Sequence, residues 1–193
     1  HPLAAQGDHR ADGHVLAHLE LRDRLLRARH GRLLPGDLAE LLGAGVDDPF
    51  ILTMATGRDG AIYAGTFRGG VFRSKDEGKS WQSINDGLKR LEIKSLLVTS
   101  EGLYAGTSGG AYRLNAAGDK WTIVTTGLDD VLVHALVRST DGTLFAGTSG
   151  KGILRFKQNA TGWVRMQQGL KDHEGMIENF IRVLAIDREQ GIY

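Results

Sequence analysis

GLDDVLVHALVRSTDGTLFAGTSGKGILRF, residues 127–156, shows how the chain is built. Val131 to Val137 is apolar-rich and reads as a strand. Ser139-Thr140-Asp141-Gly142 then turns the chain. An Asp-Gly pair between strands signals a hairpin, because glycine takes positive φ at no steric cost. A second strand ends in Ala146-Gly147-Thr148, a small polar turn follows, and Ile153 to Phe156 makes a third.

Working outward, the same marks return. Ala64-Gly65-Thr66 and Ala105-Gly106-Thr107 precede Ala146-Gly147-Thr148 at spacings of 41 and 41. Each triplet follows an aromatic residue: Tyr63, Tyr104, Phe145. Trp81, Trp121 and Trp163 recur at 40 and 42, and Gly87-Leu88, Gly127-Leu128 and Gly169-Leu170 keep the same register, as do Arg73, Arg113 and Arg155. Four short antiparallel strands in about 41 residues is one blade of a β-propeller. The reading is therefore mainly β, with blades over about 50–88, 93–128 and 131–170 and the start of a fourth over 179–193, where Tyr193 falls on the aromatic position. The last aromatic interval is 48 rather than 41, which places an excursion around Lys171 to Asn179. Closed propellers use about four to eight blades. The expectation is a partial propeller belonging to a longer chain, its ends covered by further blades or by a protein partner.

Ser74-Lys75-Asp76-Glu77-Gly78-Lys79-Ser80-Trp81 fits the pattern S-x-D-x-G-x-x-W at all four defining positions. In this the chain resembles the Asp-box (BNR-like) propellers: sialidases, sortilin-like receptors, xyloglucanases and photosystem II assembly factors. Unit two keeps only Gly118 and Trp121 of the box, and unit three only Trp163. The strand–DG–strand–GT order of residues 127–156 also resembles the propeller repeat of two-component sensor ectodomains. The resemblance implies structural roles for Ser74, Asp76, Gly78, Trp81, Trp121 and Trp163, with Asp and Ser holding a turn and Trp filling a gap between strands.

Composition divides the chain near Pro49. All three prolines lie before residue 50, and every aromatic lies at or after Phe50. Residues 1–49 form an N-terminal segment read as α-helical: HVLAHLELRDRLLRARH, residues 14–30, has helical apolar spacing with Asp12 as N-cap and Gly31 as stop, and a shorter helix is predicted from Asp37 to Leu42. His14 and His18 stand at i and i+4, but Val15 occupies the place of the glutamate in a zinc-protease motif, so no metal site is assigned.

The exclusions are broad. Net charge is +1, which gives no whole-chain field for nucleic acid. No apolar run approaches the roughly 20 residues of a membrane helix. The absence of cysteine removes disulfides, zinc fingers, iron–sulfur clusters and thiol catalysis. Export to the periplasm or cell exterior is the expected location. No catalytic residue and no cofactor is assigned: Arg73, Arg113 and Arg155 are repeat-equivalent and cannot converge on one carboxylate as in sialidases. Asp129-Asp130 and Asp187/Glu189 lack the partner, about 5–10 Å away, that glycoside hydrolysis requires. Binding remains. The loops between second and third strands carry Phe67, Arg68, Ser108, Ser149 and Lys151, which differ where the framework is constant. These are the candidate ligand- or partner-binding residues of a non-enzymatic interaction, assembly, scaffold or sensor module. A carbohydrate-active propeller, xyloglucanase-like or sialidase-like, is the alternative.

Overall fold

The computed structural model describes residues 45, 46, 48, 50–124, 130–157, 162–166 and 180–193. Among these the chain is all-β. Strands β1 (Ile51–Thr56), β2 (Ile62–Thr66), β3 (Val71–Ser74) and β4 (Gln82–Ser83) form the first sheet. β5 (Ile93–Thr99), β6 (Gly102–Thr107), β7 (Gly110–Leu114) and β8 (Trp121–Ile123) form the second. β9 (Val133–Arg138), β10 (Leu144–Thr148), β11 (Ile153–Phe156) and β12 (Val164–Arg165) form the third. Every sheet is a simple antiparallel meander, with neighbours in chain order. No helix occurs in residues 96–155 among those described. The expected helices at 14–30 and 37–42, the pairs Gly127-Leu128 and Gly169-Leu170, and the excursion at 171–179 lie outside the described residues.

Successive sheets pack through their first strands: β1 lies against β5, and β5 against β9. The triplet glycine explains the close approach. A Cβ on Gly65 would stand 2.5 Å from Ile93 Cγ2, one on Gly106 2.9 Å from Val133 Cγ1, and one on Gly147 2.8 Å from Ile181 Cγ2. Each triplet thus seats the first-strand residue of the following unit. Ile181 marks that place beyond the third sheet, and its amide donates to the Thr148 carbonyl at 2.9 Å. Residues 180–193 continue the pattern: Ala185 and Tyr193 exchange backbone hydrogen bonds at 2.8 and 2.9 Å, and Asp187 to Gly191 makes the turn between them.

The triplet threonine has a task that the repeat alone did not disclose. Thr66, Thr107 and Thr148 are fully buried. Their hydroxyls donate to the carbonyls of Gly70, Gly110 and Gly152 at 3.1, 2.9 and 2.7 Å, closing the turn between second and third strands. A buried hydroxyl without a partner is costly, and here each one is satisfied by the turn it closes.

The apolar core lies largely between sheets rather than within one. Val71 and Ile84 of the first sheet join Ile93, Leu103, Tyr112 and Trp121 of the second. Tyr104 and Ala111 join Val133, Leu144 and Leu154. Phe145 and Ile153 join Leu184. Trp121 is 1% exposed and Trp81 7%. Trp163 is half-buried, packed against the cluster that holds Leu154 with its ring tilted 31° to that of Phe156 at 5.5 Å. Two residues upstream of Pro49 join the first sheet. Val46 is buried with Ile51 and Trp81, and Gly45 faces the Trp81 carbonyl as Gly87 faces that of Trp121.

Candidate functional site

The residues at the framework turn are built as the motif implies. Ser74 Oγ accepts from the Gly78 amide at 2.8 Å and donates to Asp76 Oδ1 at 2.8 Å. Asp76 accepts from the amide and the hydroxyl of Ser80. Those Ser80 bonds, with Ser74, hold the Asp76 carboxyl down at about 2. In the second sheet Asn115 takes over the turn, its Oδ1 accepting from Gly118 and Asp119 at 2.9 and 3.1 Å. The motif fades in sequence while the turn persists. Arg73 reaches sideways to the Gly118 carbonyl at 3.0 Å, tying the first sheet to the second.

The sign of the Asp76 effect is fixed by its lowered pKa. The carboxylate contribution is complete above about pH 4, the unfolded value, and is lost as pH falls through about 2. Thermal melts from pH 5 to pH 2 should therefore fall less steeply for Asp76→Asn than for the natural chain. Some slope remains, because Asp141 and Asp187 are lowered in the same direction. Identical slopes would contradict this account of the turn.

The candidate binding residues occupy equivalent turns in the three sheets. The turns between second and third strands each hydrogen-bond the residue leading into the first strand of the same sheet. The Phe67 amide donates to Phe50, that of Ser108 to Glu92, and that of Ser149 to Leu132. The first of these turns is stiffened by Asp48, which is buried and accepts from the amides of Arg68, Gly69 and Phe50. Asn85 braces its other side, donating to Gly69 O and accepting from Val71, both at 2.7 Å.

On this frame Phe67 is 37% exposed, with the Arg68 guanidinium 5.3 Å and the Lys94 ammonium 5.9 Å from its ring centre. Cations over an aromatic face are attracted by its quadrupole. Phe50, before β1, and Phe180, before Ile181, are 61% and 63% exposed. Lys94 is also paired with Glu92 at 2.6 Å. In the third sheet Ser149 Oγ lies 2.7 Å from His134 Nε2. Burial, then Lys94 and Arg182, push the His134 pKa down.

Phe67 and Arg68 are thus brought together with Lys94, and Ser149 with His134. Ser108 is half-buried in its turn, and Lys151 is exposed at the tip of the third. Lys94, His134 and Arg182 were missed by the sequence reading. All three follow the first-strand residue that packs on a triplet glycine, a relation visible only once strands are aligned. Among the described residues no cluster of His, Asp and Glu suits a metal ion.

Neither a protein-family model nor a curated protein sequence matches the chain. Solved structures do. The extracellular domain of BT4673 from B. thetaiotaomicron, assigned to a hybrid two-component system, aligns with a TM-score of 0.65 at 20% identity, over 77% of this chain and 20% of that one. PorZ, a surface component of the type-IX secretion system of Porphyromonas gingivalis, gives a TM-score of 0.56 at 16% identity over 69% of this chain and 23% of its own. A GH74 xyloglucanase from Xanthomonas campestris gives 0.52 at 16% identity, over 62% and 22%. The fold is propeller-like. The chain spans about a fifth of the length of these proteins, and the likeness is one of fold.

Proposed function

We propose that residues 50–193 are blades of a β-propeller in a larger exported protein, and that the face bearing Phe67 binds a protein partner without catalysis of its own. The carrying observation is the contrast between framework and face. The triplets, turns and inter-sheet contacts repeat, whereas the loops they support present an exposed aromatic flanked by two cations in one blade and small polar residues in the next. Exposed aromatic and Arg residues in a rigid setting are what interface anchors are made of. The extracellular and surface-component structures that share the fold support an exported receptor, sensor or assembly role.

A photo-cross-linker placed at position 67 of the full-length protein in its native cells tests this. A discrete protein adduct is expected there, lost in an Arg68→Glu background and absent with the cross-linker at Lys79, an exposed residue of the framework turn. No adduct at position 67, or release of sugar from xyloglucan by the purified protein, would overturn the reading.

A further inference from the structure

Lys94, His134 and Arg182 occupy one place in three consecutive units. Each directly follows the residue seated on the preceding triplet glycine: Ile93 on Gly65, Val133 on Gly106, Ile181 on Gly147. For the first two the strand register breaks at this point, between Ile93 and Ser95 and between Val133 and Ala135. Such a bulge leaves one residue out of the ladder and re-aims its side chain. In the first unit the same break falls at Leu52, between Ile51 and Thr53, so the set is apolar on that side.

The backbone brings their positions together: β5, which carries Lys94, packs on β9, which carries His134, and Ser149, whose hydroxyl lies 2.7 Å from His134 Nε2, bridges to Phe180, two residues before Arg182. Lys94 and Arg182 both act on the His134 ring, and Glu92 is the acid that opposes them there. Glu92 is already paired with Lys94. Arg182 is exposed and forms no ion pair among the described residues. Phe67 places an apolar ring beside Lys94. An ammonium, an imidazole and a guanidinium fork, gathered where first strands begin, fit one kind of ligand group.

We propose that this cluster binds a carboxylate-bearing ligand, its carboxylate taken by the Arg182 fork and His134 with Lys94 alongside. A guanidinium matches a carboxylate with two parallel hydrogen bonds, which an ammonium cannot do. The inference goes beyond partner binding at Phe67 and does not depend on it.

The test is calorimetric titration of the full-length protein with succinate at low salt, against neutral succinamide. Succinate should bind and succinamide should not. Arg182→Gln, which changes an exposed side chain, should weaken succinate by about tenfold, and Lys94→Gln with Arg182→Gln by more. The pH dependence of succinate binding between pH 7.5 and pH 5.5 should differ between the natural chain and His134→Gln, since only the former can add a proton at a ring set among Lys94, Arg182, Glu92 and Ser149. No binding of succinate, equal binding of succinamide, or succinate affinity unchanged by Arg182→Gln would overturn the proposal.

Discussion

Trp121→Ala is expected to lower the unfolding free energy by about 3–5 kcal/mol, the range of large aromatic truncations in a core. The indole is 1% exposed and lies among residues of two sheets, with Val71 and Ile84 from the first and Ile93, Leu103 and Tyr112 from the second. Its Nε1 donates to the Ile84 carbonyl at 2.6 Å and its amide to that of Asp86 at 2.8 Å. Truncation opens a cavity between the two sheets and leaves the Ile84 carbonyl without that donor. Trp163→Ala should cost less, about 1–2 kcal/mol, since that ring is half-buried. Urea denaturation of both variants decides the point. Equal losses would mean that burial does not set the contribution of the repeated tryptophan.

Gly87→Ala should be nearly as damaging although it adds one methyl group. Gly87 has φ of +89°, and a Cβ there would stand 2.1 Å from the Trp121 carbonyl oxygen. The left-handed backbone costs an L-residue about 1–2 kcal/mol. The clash is with backbone on the neighbouring sheet, so relief requires the two sheets to part, for a total of about 2–5 kcal/mol. Gly60 separates the two effects. Its φ is +79°, but nothing lies within 4 Å of the added atom. Gly60→Ala should therefore lose only the backbone share, about 1–2 kcal/mol. Comparable melting temperatures for the two variants would refute the steric argument.

The sheets were legible from sequence because the features that make them are identities: a triplet, a tryptophan and a turn glycine at fixed spacing. Gly45 escaped the same scan because Val46 follows it where Leu follows the later glycines, although Val46 is buried with Ile51 and Trp81. Apolar character was kept and identity was not. The candidate site was half legible. Phe67 and Arg68 stood out as irregular loop residues and prove to sit together over a turn held by Asp48. Lys94, His134 and Arg182 share basic character rather than letter, and the first two stand at a register break that no spacing rule records.

The seating of each first strand on the glycine of the unit before it has a consequence for assembly. The contact is directional: Gly65 receives Ile93, and Gly106 receives Val133. Every unit therefore offers a socket at one side and a plug at the other, of the same shape each time. Such a head-to-tail rule carries no count within it. A closed ring and an open spiral satisfy it equally, the outcome depending on the rotation per step. Blade number is thus a property of the angle accumulated along the chain, and units joined by this rule could be duplicated or lost in evolution without redesign of any single interface.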